Sequence, residues 1–354
     1  MNSFITTPKT LSVMLTYQCN AACKECGTFS SPRDKNSITL DTCIKSITEA
    51  RKLGFGNIVF TGGEATLELD KLLKGIAHAV SLEFPVRLVT NAHWATSLKA
   101  AENFVSALKK AGLVEINFST GDEHAKFIDP LFTAYASIAA INAGLRTVLV
   151  IEMQDSSFKY KDIIIEKVCS LSDQKNYEKL FKVIESPWMP VKWTKPAKTG
   201  KETLTNLSNL FSRGGCDSVL QTYVVQGDGK IAACCGLGMR GIKELHTGST
   251  HQLQALNLAV NNAEQDWLKI GLKFIGPERI LAWASTKNTS ILWENMYSHR
   301  CHACIRIYKD EVVRQVIKEY FHEIIPDILA SSYIELSILP NLATIDNMLS
   351  GKNR

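Results

Sequence analysis

Cys19, Cys23 and Cys26 stand in the string CNAACKEC, three thiols within eight residues near the N-terminus. Gaps of three and two residues let one short loop wrap three thiolates around a single inorganic centre. Soft thiolates grouped in this way suit an iron–sulfur cluster. A four-iron cubane takes four ligands, so a loop that offers three leaves one iron open to a substrate or cofactor, and chemistry would start there. The same cysteines also permit a partial zinc site or, in a secreted chain, part of a disulfide framework. Zinc sites more often pair two CxxC-like knuckles. The start MNSFITTPKTLSVML lacks the features of a signal peptide, and no stretch is apolar enough to span a bilayer. A reducing cytoplasm, where disulfides are rare, is the expected compartment.

Other chemistry-bearing residues follow. Gly62-Gly63-Glu64 lies inside TGGEATL. Two glycines let backbone approach a ligand closely and adopt positive φ, and the carboxylate can hold an ammonium group. By themselves these residues read equally as a glycine turn between a strand and a helix. No Gly-Lys-Ser/Thr follows, so this is not a phosphate loop. Asn91 sits in LVTNAHWA, where His93 is a further candidate to face the site and Trp94 reads as loop packing. Ser119, Asp122 and His124 lie in STGDEH. His124 is a candidate acid, base or substrate anchor, and equally a helix cap; Glu152 has the same two readings. Downstream, Cys216 and Cys234 flank a segment whose GDG turn predicts a hairpin, and Cys301 and Cys304 form a two-residue-spaced pair. Four thiols converging would saturate one metal centre, which these spacings allow to be iron–sulfur or a zinc site with four cysteine ligands. Cys235 is a spare ligand or a packed thiol, and Cys43 and Cys169 read as core residues of helices.

The elements that position these residues alternate regularly. Strands are expected at Leu11 to Thr16, Asn57 to Thr61, Val86 to Thr90, Val114 to Ser119, Arg146 to Glu152 and within Leu180 to Glu185, ahead of the irregular PWMPVKWTKPAKTGK. Helices are expected from Leu40 to Leu53, with Thr39 as N-cap and Gly54 closing, from Leu69 to Ser81, Ser97 to Ala111 and Pro130 to Ala143. Such order predicts an α/β fold of parallel βαβ units, whose ligands gather at the C-terminal ends of the strands. The motifs fall on those loops. The helical periodicity from Asp310 onward predicts a tail packed over the barrel or a partner. The chain has 354 residues, 45% hydrophobic and 21% charged, with a net charge of +5. These are values of a folded globular protein rather than a disordered one. The mild basic excess carries no basic–aromatic patch, so nucleic acid is not indicated.

CxxxCxxC, followed one helix and one strand later by GGE, resembles the signature of the radical S-adenosylmethionine (radical SAM) enzymes. The resemblance implies a partial (β/α)6 TIM-like barrel whose three cysteines hold a [4Fe–4S] cluster, with SAM on the open iron. It assigns SAM contacts to Gly62, Gly63, Glu64, Asn91, Ser119 and Asp122. Three departures stand out: Ala92 replaces the glycine of a TNG-like turn, Gly121 occupies a common aspartate position, and Glu25 stands where an aromatic residue is usual. Cys216, Gly229 and Cys234, with Cys301 and Cys304, resemble the twitch or SPASM extension, a β-hairpin plus helix implying an auxiliary [4Fe–4S] cluster. The implied domains are 1–212, a partial barrel; 213–308, the extension; and 309–354, a helical tail. The implied activity is reductive cleavage of SAM to a 5′-deoxyadenosyl radical, which removes hydrogen from a substrate C–H bond, with flavodoxin or ferredoxin as electron donor. The substrate reads as a ribosomally made peptide or another natural product, with an amino-sugar-like small molecule as the alternative. Only a short arm precedes the first strand, so no added peptide-recognition domain is expected there. A zinc-stabilised binding module and an RNA-modifying radical enzyme are the rival classes.

Overall fold

The structure is a computed structural model that describes residues 8–24, 26–153, 157–187 and 204–338. Glu25, most of the irregular segment after the sixth strand and the end of the tail lie outside the described residues. In chain order the elements are β1 (Thr10–Met14), α1 (Leu40–Lys52), β2 (Asn57–Thr61), α2 (Leu69–Ser81), β3 (Val86–Thr90), α3 (Leu98–Ala111), β4 (Glu115–Gly121), α4 (Pro130–Asn142), β5 (Arg146–Met153), α5 (Lys161–Leu171), α6 (Gln174–Leu180) and β6 (Phe181–Pro187). There follow β7 (Thr222–Val225), β8 (Lys230–Ala232), β9 (His246–Ser249), α7 (Ala255–Glu264), α8 (Trp267–Phe274), α9 (Pro277–Lys287), α10 (Arg300–Lys309), α11 (Glu311–Tyr320) and α12 (Ile325–Tyr333).

Local chemistry accounts for these boundaries. The Thr39 side chain accepts from Thr42 N at 3.1 Å and opens α1, while Arg51 and Lys52 sit at its negative end. Gly54, at φ +74°, takes the chain out of α1 in the left-handed region. Ser97 caps α3 in the same manner as Thr39, and Asp129 caps α4 ahead of Pro130. α4 is buried on most of its circumference, as its alanines and isoleucines require.

β1 to β6 form a parallel sheet in sequential order, and α1 to α5 lie side by side against it. Parallel pairing puts the C-terminal ends of all six strands on one edge, where the loops carrying Cys19, Gly62, Asn91, Ser119 and Glu152 emerge. The α/β architecture of the partial barrel is therefore as expected. The extension differs from a small appended hairpin. β7 pairs parallel with β1, so β7, β8 and β9 continue the main sheet to nine strands, and four helices, α7 to α10, follow before the tail. β1 lies between β2 and β7, which places the cysteine loop at the seam of barrel and extension. The tail also departs from expectation. Through residue 338 it packs on the extension: α11 on α9 and α10, α12 on α8. Among the described residues no helix is long and apolar enough to cross a membrane.

Candidate active site and a second thiol pocket

Cys19, Cys23 and Cys26 line one cavity of about 240 Å³ with Gly62, Gly63, Glu64, Asn91, Ser119, His124 and Glu152. The loop that brings them there is built against the GGE turn. Gly63 N donates to Thr16 O and Glu64 N to Gln18 O, each at 2.8 Å. A Cβ on Gly62 would lie 2.6 Å from Thr16 O, and one on Gly63 2.3 Å from Gln18 O. Neither glycine has positive φ. The expected reason for these glycines is thus corrected: what requires them is the approach of the cysteine loop's own backbone, not a left-handed turn.

Glu64 is 1% exposed and accepts from four donors. Oε1 takes Thr66 N (3.1 Å), Thr66 Oγ1 (2.5 Å) and Thr90 Oγ1 (2.8 Å), and Oε2 takes Asn91 N (2.8 Å). The carboxylate ties β2's loop to β3's end and retains acceptor capacity on Oε2 for a single further donor. Asn91 is engaged at both ends of its amide: Nδ2 donates to Asn20 Oδ1 (2.9 Å) and reaches Cys19 Sγ (3.8 Å), while Oδ1 accepts from His93 N (3.1 Å). Its first duty is to hold the cysteine loop. Ala92 keeps the left-handed turn of the missing glycine, at φ +59°. Trp94 stacks on Phe104 at 4.1 Å and, like His93, does not line the cavity.

At β4 and β5 the expectations divide. Ser119, His124 and Glu152 reach the cavity, and His124 Nδ1 lies 3.3 Å from Glu152 Oε2. Asp122 does not line it; its backbone N donates to Glu152 O at 3.1 Å. Gly121, at φ +141°, explains the departure from aspartate, since a Cβ there would meet Glu152 O at 2.0 Å. Glu123 has a role that inspection of STGDEH does not reveal. It is 2% exposed, accepts from Lys24 N at 3.1 Å and pairs with Lys126 Nζ at 2.5 Å, so it braces the cysteine loop from β4.

Cys216, Cys234, Cys301 and Cys304 line a second, smaller pocket of about 20 Å³ with Val219, Leu245, Leu272 and Arg300. No histidine or carboxylate lines it. A Cβ on Gly236 would sit 3.0 Å from Cys301 Sγ and 3.2 Å from Cys234 Sγ, so two sulfurs flank one bare backbone position. Cys235 is not packed; it is exposed, contacts Ser218 Oγ at 2.9 Å and lines the first cavity. Adjacent cysteines therefore serve different cavities, and Gly236 and Leu237 line both. Cys43 is fully buried in the core, as expected.

The donor sets fit metal clusters on chemical grounds. Burial pushes the Cys19 thiol up to about 11 and the Cys23 thiol to about 12, neighbouring thiols adding to both. In the second pocket burial raises Cys301 to about 12 and holds Cys234 and Cys304 well above the ordinary thiol range. Thiols so placed ionise together only when a cationic centre compensates their charge. The first site presents three cysteines beside open space, the second four in a smaller, apolar pocket.

Residues 13–141 match the sequence profile of the Radical SAM superfamily. YydG of Bacillus subtilis (strain 168), whose name assigns it to peptide biosynthesis, is 25% identical over 239 residues, covering 64% of this chain and 69% of its own. A solved structure of anSMEcpe with bound AdoMet (SAM) and the Cp18Cys peptide superposes with a TM-score of 0.52 at 14% identity, covering 92% of this chain and 99% of that one. That likeness speaks to the fold alone. BtrN in complex with AdoMet and 2-DOIA gives a TM-score of 0.45 at 12% identity, over 83% and 98% of the two chains, too loose to argue from. The matched segment holds the thiol loop, the GGE turn and the ends of β1 to β4 that line the first cavity.

Proposed function

We propose that this chain is a radical SAM enzyme that matures a ribosomally made peptide, using a [4Fe–4S] cluster on Cys19, Cys23 and Cys26 and a second on Cys216, Cys234, Cys301 and Cys304. The observation that carries the catalytic reading is the convergence of three thiols, the GGE backbone and the β3 to β5 ends on one cavity. The peptide reading is supported by the similarity to YydG over 239 residues. When bound, the first cluster supplies the electron that cleaves SAM into methionine and a hydrogen-abstracting radical. The chain's own groups do the rest. Gly62, Gly63 and Glu64 Oε2 would orient the SAM amino group, a role supported by their lining the cavity of the three cysteines, and Ser119 offers a hydroxyl on the same wall. Asn91 fixes Cys19 through Asn20, and the Ala21 N–H donates to Cys19 Sγ at 3.4 Å, favouring the thiolate. His124 and Glu152, 3.3 Å apart across the ends of β4 and β5, form the polar wall for substrate. The second site offers four thiols, which would leave its cluster no open iron, so it suits electron transfer.

Anaerobically reconstituted protein, SAM, reductant and candidate precursor peptides should give a peptide altered in mass or chromatographic mobility. One 5′-deoxyadenosine should appear per modified site. Turnover of an amino-sugar alcohol with the peptide left unchanged would replace this reading with the dehydrogenase one.

A further inference from the structure

One cation touches both limbs of the cysteine loop. The Arg240 guanidinium lies 3.5 Å from the centre of the Tyr17 ring, two residues before Cys19. Its NH1 group donates to Phe29 O at 2.8 Å and Thr28 O at 3.4 Å, two to three residues after Cys26. NH2 donates to Asp34 Oδ2 at 2.6 Å. Tyr17 is itself anchored on the extension, its hydroxyl 2.9 Å from Gln226 Oε1 and 3.1 Å from Asp228 Oδ1. The strap that carries Arg240 adds two contacts. Gly238 N donates to Gly27 O at 2.9 Å, and Leu237 occupies the space beside Gly27 so closely that a Cβ there would fall 2.1 Å from Leu237 Cδ2.

We propose that Arg240 is a positioning residue for the first thiol site. Its planar fork closes the loop by gripping the entering ring and the leaving carbonyls, so that Cys19, Cys23 and Cys26 face one cavity. The geometry requires a guanidinium. A ring face, two carbonyl oxygens and a carboxylate are met together by a flat group with several donors, and an ammonium is a point charge. None of these partners is a thiol or a wall group of the cavity apart from Thr28, so the role is to hold the loop rather than to touch the reacting atoms.

The test uses the reconstituted full-length chain and the variants Arg240→Gln, Arg240→Lys and Asp34→Asn, kept anaerobic. Three readouts are taken: the electron paramagnetic resonance change of the reduced first cluster on adding SAM, the KM for SAM, and amide exchange across the loop. Arg240→Gln should raise the KM at least tenfold, weaken the SAM-induced spectral change and speed exchange of the 26–31 amides at least tenfold. Exchange in β3 and α4 should stay unchanged. Arg240→Lys should fall between the two, and Asp34→Asn should show a smaller effect in the same segment. Unaltered spectrum, KM and exchange in Arg240→Gln would overturn the proposal. So would exchange that rises evenly across β1 to β6, since that is loss of fold rather than of position. Should Arg240→Gln fail to fold, Asp34→Asn decides alone, a normal KM and spectrum counting against the role.

Discussion

The two thiol sites are made of the same side chain and differ in the room and the polar groups around it. Cys19, Cys23 and Cys26 are partly exposed on a loop beside a cavity of about 240 Å³, with a carboxylate, an amide and a hydroxyl on its walls. Cys216, Cys234, Cys301 and Cys304 close on about 20 Å³ among aliphatic side chains, with Cys234 buried in the core. Room beside three thiols would leave a metal position open to ligands, whereas four thiols would leave none. The loop is also the less self-supporting of the two. It is held from outside by Asn91, Glu123, the GGE backbone and Arg240, while Cys301 and Cys304 sit on one turn of α10.

Breaking the first site should have the largest effect. Cys26→Ala should reduce 5′-deoxyadenosine formation to background and iron from about eight to about four atoms per chain, measured by chromatography and iron assay. Breaking the second should be milder in kind. Cys216→Ala/Cys234→Ala should also leave about four irons, yet retain SAM cleavage, lowered about tenfold because Cys234 begins the strap that ends at Arg240. Complete loss of cleavage there would erase the distinction between an open and a closed site. Next comes the substrate wall: His124→Ala should slow peptide modification by roughly tenfold or more, a general acid–base or anchoring loss, with substrate-free SAM cleavage unchanged. Glu123→Gln should lower stability by about 1–3 kcal/mol in denaturant unfolding, because a buried charge-assisted bond to the loop becomes a neutral one. Ala92→Gly should shift stability by less than about 1 kcal/mol, relief of the left-handed strain being offset by the freer unfolded chain.

Much of this was legible in the sequence because its signals are local. β2, α2 and β3 begin and end where periodicity and flanking turn residues put them. What was not legible depends on contacts between distant segments. Asp122 looked like a cofactor ligand, but the carbonyl of Glu152 on the neighbouring strand takes its backbone N–H and the side chain misses the cavity. Nothing beside Gly121 in the chain announces that β5 passes too close for a Cβ. Cys235 read as packed because its direction depends on how the strap leaves β8, and the pairing of Tyr17 with Arg240 spans the whole barrel in sequence. The hairpin was visible from its GDG turn, whereas its parallel pairing with β1 was not, since the residues of β7 carry no mark of a neighbour about two hundred residues away.

The most direct measurement of the central claim is SAM cleavage by the anaerobically reconstituted chain, with reductant and candidate peptides present. The account predicts 5′-deoxyadenosine and methionine in equal amounts, formed by the parent enzyme and the Cys216→Ala/Cys234→Ala variant but not by Cys26→Ala. A colourless, iron-free protein, or one that binds iron and yields no 5′-deoxyadenosine under any of these conditions, would contradict it.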